Sequence, residues 1–298
     1  MQRDRHYLQD LAALLAILPT LTSLHTLTIY IRNTDHAFWS TIPDIFGSPT
    51  YASPLPRGLS NLTAIYMEGG GHRDLVLDAR LVVRLMFLPN IRRLHLLSIT
   101  DSGQDWSDAE KDRLSALRGT STVSALRFAE DCEMKFNHVM DFVKLSKTLS
   151  ELEFPMLPDT LLSTLKQHLW LHRETLETLV LTNSQSEFLP QTDVLGDLRG
   201  FPILRHLDLD IHSLLAIGGW SVSLATIVPP VLETLQLVLV TDGGPVMDPE
   251  AACSQVLDVV RKSTHLTQMT LFGDGAMDWD QIQEECDERG IQLHVEVW

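Results

Sequence analysis

The sequence predicts an α/β solenoid in which short parallel strands alternate with helices. Three observations predict it. A hydrophobic phrase of the form L-x-x-L-x-L recurs ten times, its spacing is nearly constant in the middle of the chain, and most segments between phrases carry apolar residues at helical spacing. A chain that repeats its own pattern in this way folds as repeated units, because no single unit can bury its apolar face without a neighbour.

The ten phrases share leucine or another large apolar residue at their fourth and sixth positions, and the first nine also at their first position. Their fourth residues are separated by 38, 29, 32, 26, 27, 28, 28, 34 and 24 positions. Those fourth residues are Leu27, Ile65, Leu94, Leu126, Leu152, Leu179, Leu207, Leu235, Met269 and Leu293. A period near 28 with this signature is typical of a leucine-rich repeat horseshoe, with about ten parallel strands on the concave face and helices on the convex face.

One repeat domain is expected to span residues 1–298, because a solenoid grows by adding neighbours and needs no central core. We expect an N-terminal helix or cap at 1–20, repeats at 21–290 and a C-terminal strand at 291–298. The helix Tyr7–Leu18 carries leucines on more than one face, which predicts an unusual cap or a further segment upstream. The acidic last helix, Gly290 and the final strand look like a natural C-terminal end.

Helix signals lie between the phrases. Ser107 is followed three residues later by Glu110, a capping box that predicts a helix to about Arg118. Further helices are predicted at Lys135–Ser146, Asp159–His172, Pro249–Ser263 and Asp278–Arg289. In the second of these four, Leu161, Leu165 and Leu169 are expected to form the apolar face.

Charge and hydropathy restrict the function. The chain has 23 basic and 39 acidic residues, a net charge of −16, which repels phosphate backbones and acidic membrane surfaces. No apolar run reaches the roughly 18 residues that span a bilayer. We therefore expect an intracellular protein of cytoplasm or nucleus that binds neither nucleic acid nor membrane. The acidity either keeps an extended solenoid soluble or steers it toward a basic protein partner.

No residue pattern indicates a cofactor, a metal or a catalytic group. His168 and His172 are four apart on a predicted helix, but no glutamate follows His168 and no third ligand is evident. Asp208-x-Asp210 is only half of a cation site. The three cysteines are far apart and are expected to be reduced thiols: Cys132, Cys253 and Cys286.

Alternation along each strand sends positions 4 and 6 of a phrase inward and positions 3, 5 and 7 to the concave surface. The partner-binding candidates lie on that surface. They are Tyr30, Tyr66, Glu68, Arg93, His95, Arg127, Glu151, Glu153, His206, Asp208, Asp210, Gln236 and Phe272. Arg93, His95 and Arg127 make a small basic group, although Arg127 and Glu153 could equally pair with each other across neighbouring strands.

Two irregular stretches, Asn33–Gly58 and Thr241–Asp248, are predicted rim loops. The first contains four aromatic candidates for partner contact, Phe38, Trp39, Phe46 and Tyr51. Such loops are either tolerated surface insertions or binding elements.

The phrases Leu88-Pro89-x-x-x-x-Leu94-x-Leu96 and Phe201-Pro202-x-x-x-x-Leu207-x-Leu209 occur together with the ending Cys286-x-x-Arg289-Gly290-Ile291-x-Leu293. The combination resembles the leucine-rich repeat region of fungal F-box-like proteins, over nearly the whole chain. The resemblance implies repeats that select a substrate protein for a ubiquitin ligase. It implies contact with the ligase adaptor only if an F-box lies upstream, because no F-box helix set precedes Leu8.

The leading functional hypothesis is a non-catalytic protein-recognition module. A second is an acidic scaffold or stoichiometric inhibitor of a basic partner, which predicts binding that weakens strongly with salt. A third is an enzyme or small-molecule receptor around His95, Arg127 and Glu153, which predicts a deep pocket and shifted ionisation there.

Overall fold

The described chain combines parallel strands with helices, which confirms the predicted α/β class. The computed structural model describes residues 23–31, 61–69, 76–101, 103–129, 132–156, 160–183, 193–215, 222–239, 248–273, 275 and 277–297. The fold falls into two compact units, an N-terminal unit, Met1–Thr148, and a C-terminal unit, Leu149–Trp298. The predicted N-terminal helix lies outside the described residues, as does Asn33–Gly58 and nearly all of Thr241–Asp248.

The N-terminal unit is built around four parallel strands. Its strands are β1 (Thr26–Ile31), β2 (Ala64–Gly69), β3 (Val76–Leu77), β4 (Arg93–Leu97), β5 (Thr100–Asp101) and β6 (Ala125–Ala129). The order β1-β2-β4-β6 forms one parallel sheet, and the short strands β3 and β5 pair separately. Its helices are α1 (Ala79–Met86), α2 (Asp108–Ala116) and α3 (Phe136–Leu145).

The C-terminal unit has six parallel strands in sequence order. They are β7 (Glu151–Met156), β8 (Thr178–Asn183), β9 (His206–Asp210), β10 (Thr234–Val238), β11 (Gln268–Gly273) and β12 (Gln292–Val297). Its helices are α4 (Leu162–Leu169), α5 (Pro249–Lys262) and α6 (Trp279–Arg289). In the described part of the repeat between β9 and β10, short 3-10 helices at Ile211–Ser213 and Leu224–Thr226 stand where several other repeats have an α-helix.

One hydrogen-bond pattern recurs at the start of the strands in both units. The carbonyl of the second phrase residue accepts the amides of the second and third residues of the next phrase. Thr63 accepts from Arg92 and Arg93 at 2.7 and 3.1 Å, and Arg205 accepts from Glu233 and Thr234 at 2.8 and 2.9 Å. The phrases are therefore structurally equivalent, as their sequence spacing predicts.

The core lies beneath the strands. The residues at positions 4 and 6 of the central phrases, such as Leu94, Leu96, Leu207 and Leu209, are at most 2% exposed. Burial of each such side chain contributes roughly 1.5–3 kcal/mol. Because successive side chains of a strand point to opposite sides, most described residues at the alternate positions are half-buried or exposed. The buried exceptions are Ala64, Ala125, Pro155 and Asp210.

Most predicted helices are present within a few residues of their expected bounds. Ser107 and Glu110 form the predicted capping box of α2, in which the Ser107 amide donates to Glu110 Oε2 at 2.8 Å. Helix α6 ends at Gly290, whose φ of 70° is the left-handed conformation that glycine adopts without strain. Helix α1 was not predicted, although Asp78 accepts from the Arg80 amide as its N-cap.

The expected apolar face of α4 is partly wrong. Leu161 precedes the helix in an extended conformation and is 53% exposed, so it does not belong to the buried face. Leu162 takes that place with Leu165 and Leu169, and all three are fully buried. Leu161 and Leu162 each form a helically spaced set with Leu165 and Leu169. Because the helix starts at Leu162, it is Leu162 and not Leu161 that faces the core.

Candidate functional site

The candidate site is the strand face, which we define as the side chains at positions 3, 5 and 7 of the phrases. Among the predicted residues, those on this face with half-buried or exposed side chains are Tyr66, Glu68, Arg93, His95, Arg127, Glu151, Glu153, His206, Asp208, Gln236 and Phe272. The backbone of Tyr30 lies in β1, opposite Glu68. The side chain of Tyr30 is outside the described part of the structure, and so are Phe38, Trp39, Phe46 and Tyr51.

In the N-terminal unit the strand register brings together a basic cluster, Arg93, His95 and Arg127, beside Tyr66. Tyr66, His95 and Arg127 are register partners on β2, β4 and β6. The rings of Tyr66 and His95 meet edge to face, with centroids 4.6 Å apart. This confirms that the residues of the predicted basic group are neighbours.

The His95 imidazole is held neutral. Burial, with the positive charges of Arg127 and Arg93, lowers the pKa of His95 to about 4. Within the part of the chain that the structure describes, buried His95 Nε2 has no hydrogen-bond partner. The shifted ionisation expected by the enzyme or receptor hypothesis is present at His95, but Arg127 and Glu153 belong to different units. Their predicted pairing stays a prediction.

In the C-terminal unit the strand face carries a cavity of about 230 Å³, which we call the strand-face pocket. Positions 3 and 5 of β8 to β11 supply most of its wall, and buried leucines supply the rest. The lining residues are Val180, His206, Leu207, Asp208, Thr234, Leu235, Gln236, Gln268 and Thr270. His206 Nδ1 lies 2.7 Å from Thr234 Oγ1, so one wall of the pocket is fixed by a hydrogen bond between β9 and β10.

Among the described residues, Asp208 is the single carboxylate that lines the strand-face pocket. Burial and the negative charge of Glu153 raise the pKa of Asp208 to about 6, against the opposing effect of a hydrogen bond with Gln236. Glu153, Val180 and Asp208 are register partners on three successive strands, so the two carboxylates lie on either side of Val180. Two neighbouring carboxylates, those of Glu153 and Asp208, therefore lie on the strand face of the C-terminal unit.

The prediction that Asp210 belongs to the binding surface is wrong. Asp210 is 4% exposed, and its carboxylate accepts the His212 amide at 2.7 Å, as the N-cap of the 3-10 helix Ile211–Ser213. Burial raises the pKa of Asp210, while the His212 amide opposes that rise. The chain turns directly after β9, so the side chain at position 7 caps the turn instead of extending the surface.

The residues considered for metal binding make other contacts. His168 Nδ1 lies 2.7 Å from the Thr164 carbonyl oxygen, whereas His172 is buried and its Nδ1 accepts the Leu149 amide at 3.3 Å. Among the described residues, no three His, Cys, Asp or Glu side chains are grouped as a metal site. Three buried, free thiols belong to Cys132, Cys253 and Cys286. Burial raises the pKa of Cys132 to about 12 and that of Cys286 to about 11, so both remain thiols.

The sequence reasoning missed a buried polar group in the N-terminal unit. His138 Nδ1 and Asp101 Oδ2 are 2.5 Å apart, and both side chains are 2% exposed. Burial raises the pKa of Asp101, but hydrogen bonds with His138 and the Gly103 amide outweigh it and leave the pKa below its usual range. The Trp106 ring, 4.8 Å from that of His138, covers the pair. These contacts fasten the loop after β5 to α3.

The strand-face pocket also contains residues that were not selected: Val180, Thr234, Gln268 and Thr270. All four occupy positions 3 or 5 of their phrases, so the strand register alone would have found them. Their uncharged, non-aromatic side chains distinguish them from most of the partner-binding candidates.

No helix in the described ranges is long and apolar enough to cross a membrane. The predicted likeness to fungal F-box-like repeats depends on the chain's own phrases, such as Leu88-Pro89 before β4 and Phe201-Pro202 before β9. No protein-family model matches this chain, and no curated protein matches it.

Proposed function

We propose that this chain is a non-catalytic protein-recognition module of the leucine-rich repeat class, which contacts a partner protein with its strand face. The observation that carries the proposal is the regular alternation along the strands. Positions 4 and 6 supply the core, while position 5 presents a row of mainly polar, charged and aromatic side chains in each unit, and position 3 adds to it except at the buried Ala64 and Ala125. Rows of side chains about 4.8 Å apart suit a large protein surface better than a small ligand.

The partner surface proposed to face the strand face of the C-terminal unit is basic. A net charge of −16 favours encounter with a positively charged protein, and Asp208 and Glu153 lie close together on the strand face. The same charge supports the second candidate, an acidic scaffold or inhibitor of a basic protein. The two candidates differ in what happens to the partner: an inhibitor abolishes its activity at one-to-one stoichiometry, whereas a substrate receptor only holds it.

By resemblance, the proposed module selects substrates as the repeats of an F-box protein do, in the cytoplasm or nucleus. Contact with a ubiquitin-ligase adaptor is proposed only for a form of the protein that carries an F-box upstream. The resemblance rests on phrases such as Phe201-Pro202 before Leu207 and on the ending around Arg289-Gly290.

The test compares two variants that lose the same residue types. The strand-face variant Arg93→Ala/Gln268→Ala removes two exposed side chains from β4 and β11. The control variant Arg113→Ala/Gln167→Ala removes exposed side chains from α2 and α4. Each variant therefore changes one residue in each unit. Both are expected to fold like wild type, since exposed substitutions change stability by about 0.5 kcal/mol or less.

Tagged wild type and both variants are used to capture proteins from native cells, and captured amounts are compared by quantitative mass spectrometry. We expect at least one protein whose capture falls about tenfold with the strand-face variant and is unchanged with the control variant, because interface arginines often contribute strongly to affinity. Equal capture by all three chains would contradict the proposal.

A further inference from the structure

The strand-face pocket is a site for one small group rather than for a metabolite. Its volume is about 230 Å³. Pockets for drug-sized ligands enclose about 300–1,000 Å³. A cavity below that range, on a surface otherwise formed by strands, has room for a single side chain of another protein.

The chemistry of the wall selects a cation. The Asp208 carboxylate, the Gln236 and Gln268 amide groups and the Thr234 and Thr270 hydroxyls all offer oxygen acceptors. Of the lining residues in the described ranges, His206 alone is able to carry positive charge, and its Nδ1 is already in a hydrogen bond with Thr234. An anion would meet Asp208 directly and Glu153 beyond Val180, so it would be repelled.

Part of the wall is apolar. Val180, Leu207 and Leu235 line the same pocket. A ligand group that combines a hydrocarbon stem with a charged end can therefore contact both kinds of surface. Lysine and arginine side chains have this form, whereas a bare metal ion gains nothing from the apolar residues.

We propose that the strand-face pocket receives one arginine side chain of a partner protein, with the guanidinium against Asp208. This inference rests on the proposed recognition function and names the chemistry of its partner. A guanidinium has five donors in a planar fork, which can engage Asp208 together with the amide and hydroxyl oxygens around it. It is also less strongly hydrated than the lysine ammonium, so its entry into a half-buried pocket costs less.

Ionisation of Asp208 supports the same assignment. Its pKa of about 6 leaves the carboxylate mainly charged at pH 7, yet burial and Glu153 make that charge unfavourable. A bound cation would relieve this cost and lower the pKa. The groups that face Asp208 from the neighbouring strands are Glu153 on the β7 side and Gln236 on β10, and His206 lies on its own strand.

The test uses the full chain and Nα-acetyl-arginine amide as the probe, with binding followed by NMR. We expect saturable shifts of the Thr234, Gln236 and Thr270 amide signals with a Kd of about 1 mM, a reasonable value for a ligand of this size. The citrulline analogue, which is neutral but nearly the same shape, and the lysine analogue are expected to bind at least about fivefold more weakly. Absence of saturable shifts, or equal binding of the three probes, overturns the proposal.

Asp208→Asn is expected to weaken binding of the arginine probe by about tenfold or more, because it removes the charged partner of the guanidinium. The matched control Glu284→Gln removes an exposed carboxylate of α6 and should leave binding unchanged. A measurement on wild type does not depend on the folding of either variant: the carboxyl carbon signal of Asp208 is titrated with and without the probe. The titration midpoint should fall by a measurable amount, and an unchanged midpoint contradicts the proposal.

The two proposals fail separately. If the arginine probe does not bind but Arg93→Ala/Gln268→Ala still loses a captured partner, the pocket assignment is wrong and the recognition function stands. If the probe binds but the strand-face variant keeps all partners, the recognition function is wrong.

Discussion

His95 in the N-terminal unit and Asp208 in the C-terminal unit occupy the same position, the fifth, of their phrases. Both side chains are half-buried on the strand face, and both lie near groups of their own sign. Burial, followed by the positive charges of Arg127 and Arg93, lowers the pKa of His95 to about 4. Burial, followed by the negative charge of Glu153, raises the pKa of Asp208 to about 6. The difference teaches that strand position determines exposure, whereas the neighbouring strands determine the sign of the charge.

The two shifts have opposite consequences for stability. The folded pKa of His95 lies below its ordinary 6.5, so its contribution to stability is lost as pH falls from about 6.5 toward 4. The folded pKa of Asp208 lies above its ordinary 3.8, so its contribution is lost as pH rises from about 3.8 to 6. As pH rises from 4 to 6, His95 therefore increases the stability of the fold while Asp208 decreases it.

The largest effect on the free energy of unfolding is expected from substitutions in the core, where the two units have equivalent buried leucines. Leu94→Ala and Leu207→Ala remove inward residues that are 0% and 2% exposed, at the same phrase position in each unit. Each should lower the free energy of unfolding by about 2–5 kcal/mol, through lost burial and the cavity that remains. Urea unfolding measures the free energy of unfolding of both leucine variants. The exposed controls Arg93→Ala and Gln268→Ala are expected to lose about 0.5 kcal/mol or less. A small loss at either leucine would show that the phrases are not equivalent.

A smaller effect is expected from His95→Phe, which keeps an aromatic ring beside Tyr66 but cannot take up a proton. From pH 7 to pH 4.5, wild type should lose about 1–2 kcal/mol more stability than the variant, after allowance for solvent screening at this half-exposed site. The reason is that the unfolded chain protonates His95 in this range and the folded chain does not. Urea unfolding at the two pH values gives the difference, and equal losses in the two proteins would contradict it.

The smallest effect is expected from Asp208→Asn. At pH 7 the substitution should stabilise the chain by about 1 kcal/mol, because it removes a charge that burial and Glu153 disfavour. Near pH 3.5 the gain should be much smaller, since the carboxyl is then protonated in the folded chain and largely so in the unfolded one. Thermal unfolding at both pH values is the measurement. Glu284→Gln, the exposed control, should change little, and a destabilised Asp208→Asn at pH 7 would show that Asp208 is not in a cluster of like charge.

The strands and their register followed from the sequence because one physical signal determines both. Leucines at positions 4 and 6 must be buried, and a slip of one residue would expose them all. That constraint by itself places Tyr66, His95 and Arg127 in one row. Helix α2 was predicted for a similar reason, since Ser107 and Glu110 are spaced to cap each other's backbone.

Features that depend on where the chain turns could not be predicted from the sequence. Asp210 has the strand position of a surface residue, but the turn after β9 buries it as a cap. Leu161 and Leu162 both fit a helical pattern, and only the actual start of α4 separates the exposed leucine from the buried one. The Asp101 and His138 pair joins two segments 37 residues apart, a distance over which spacing carries no information.

The central claim, that the strand face binds a partner protein, is tested most directly by carboxyl footprinting. The chain is labelled with a carbodiimide and an amine, alone and in complex with a partner that the wild type captures and the strand-face variant does not. We predict that labelling of Asp208 and Glu153 falls in the complex, while labelling of Glu284 and Glu288 on α6 is unchanged. Protection of the α6 carboxylates with undiminished labelling of Asp208 and Glu153 would contradict the account.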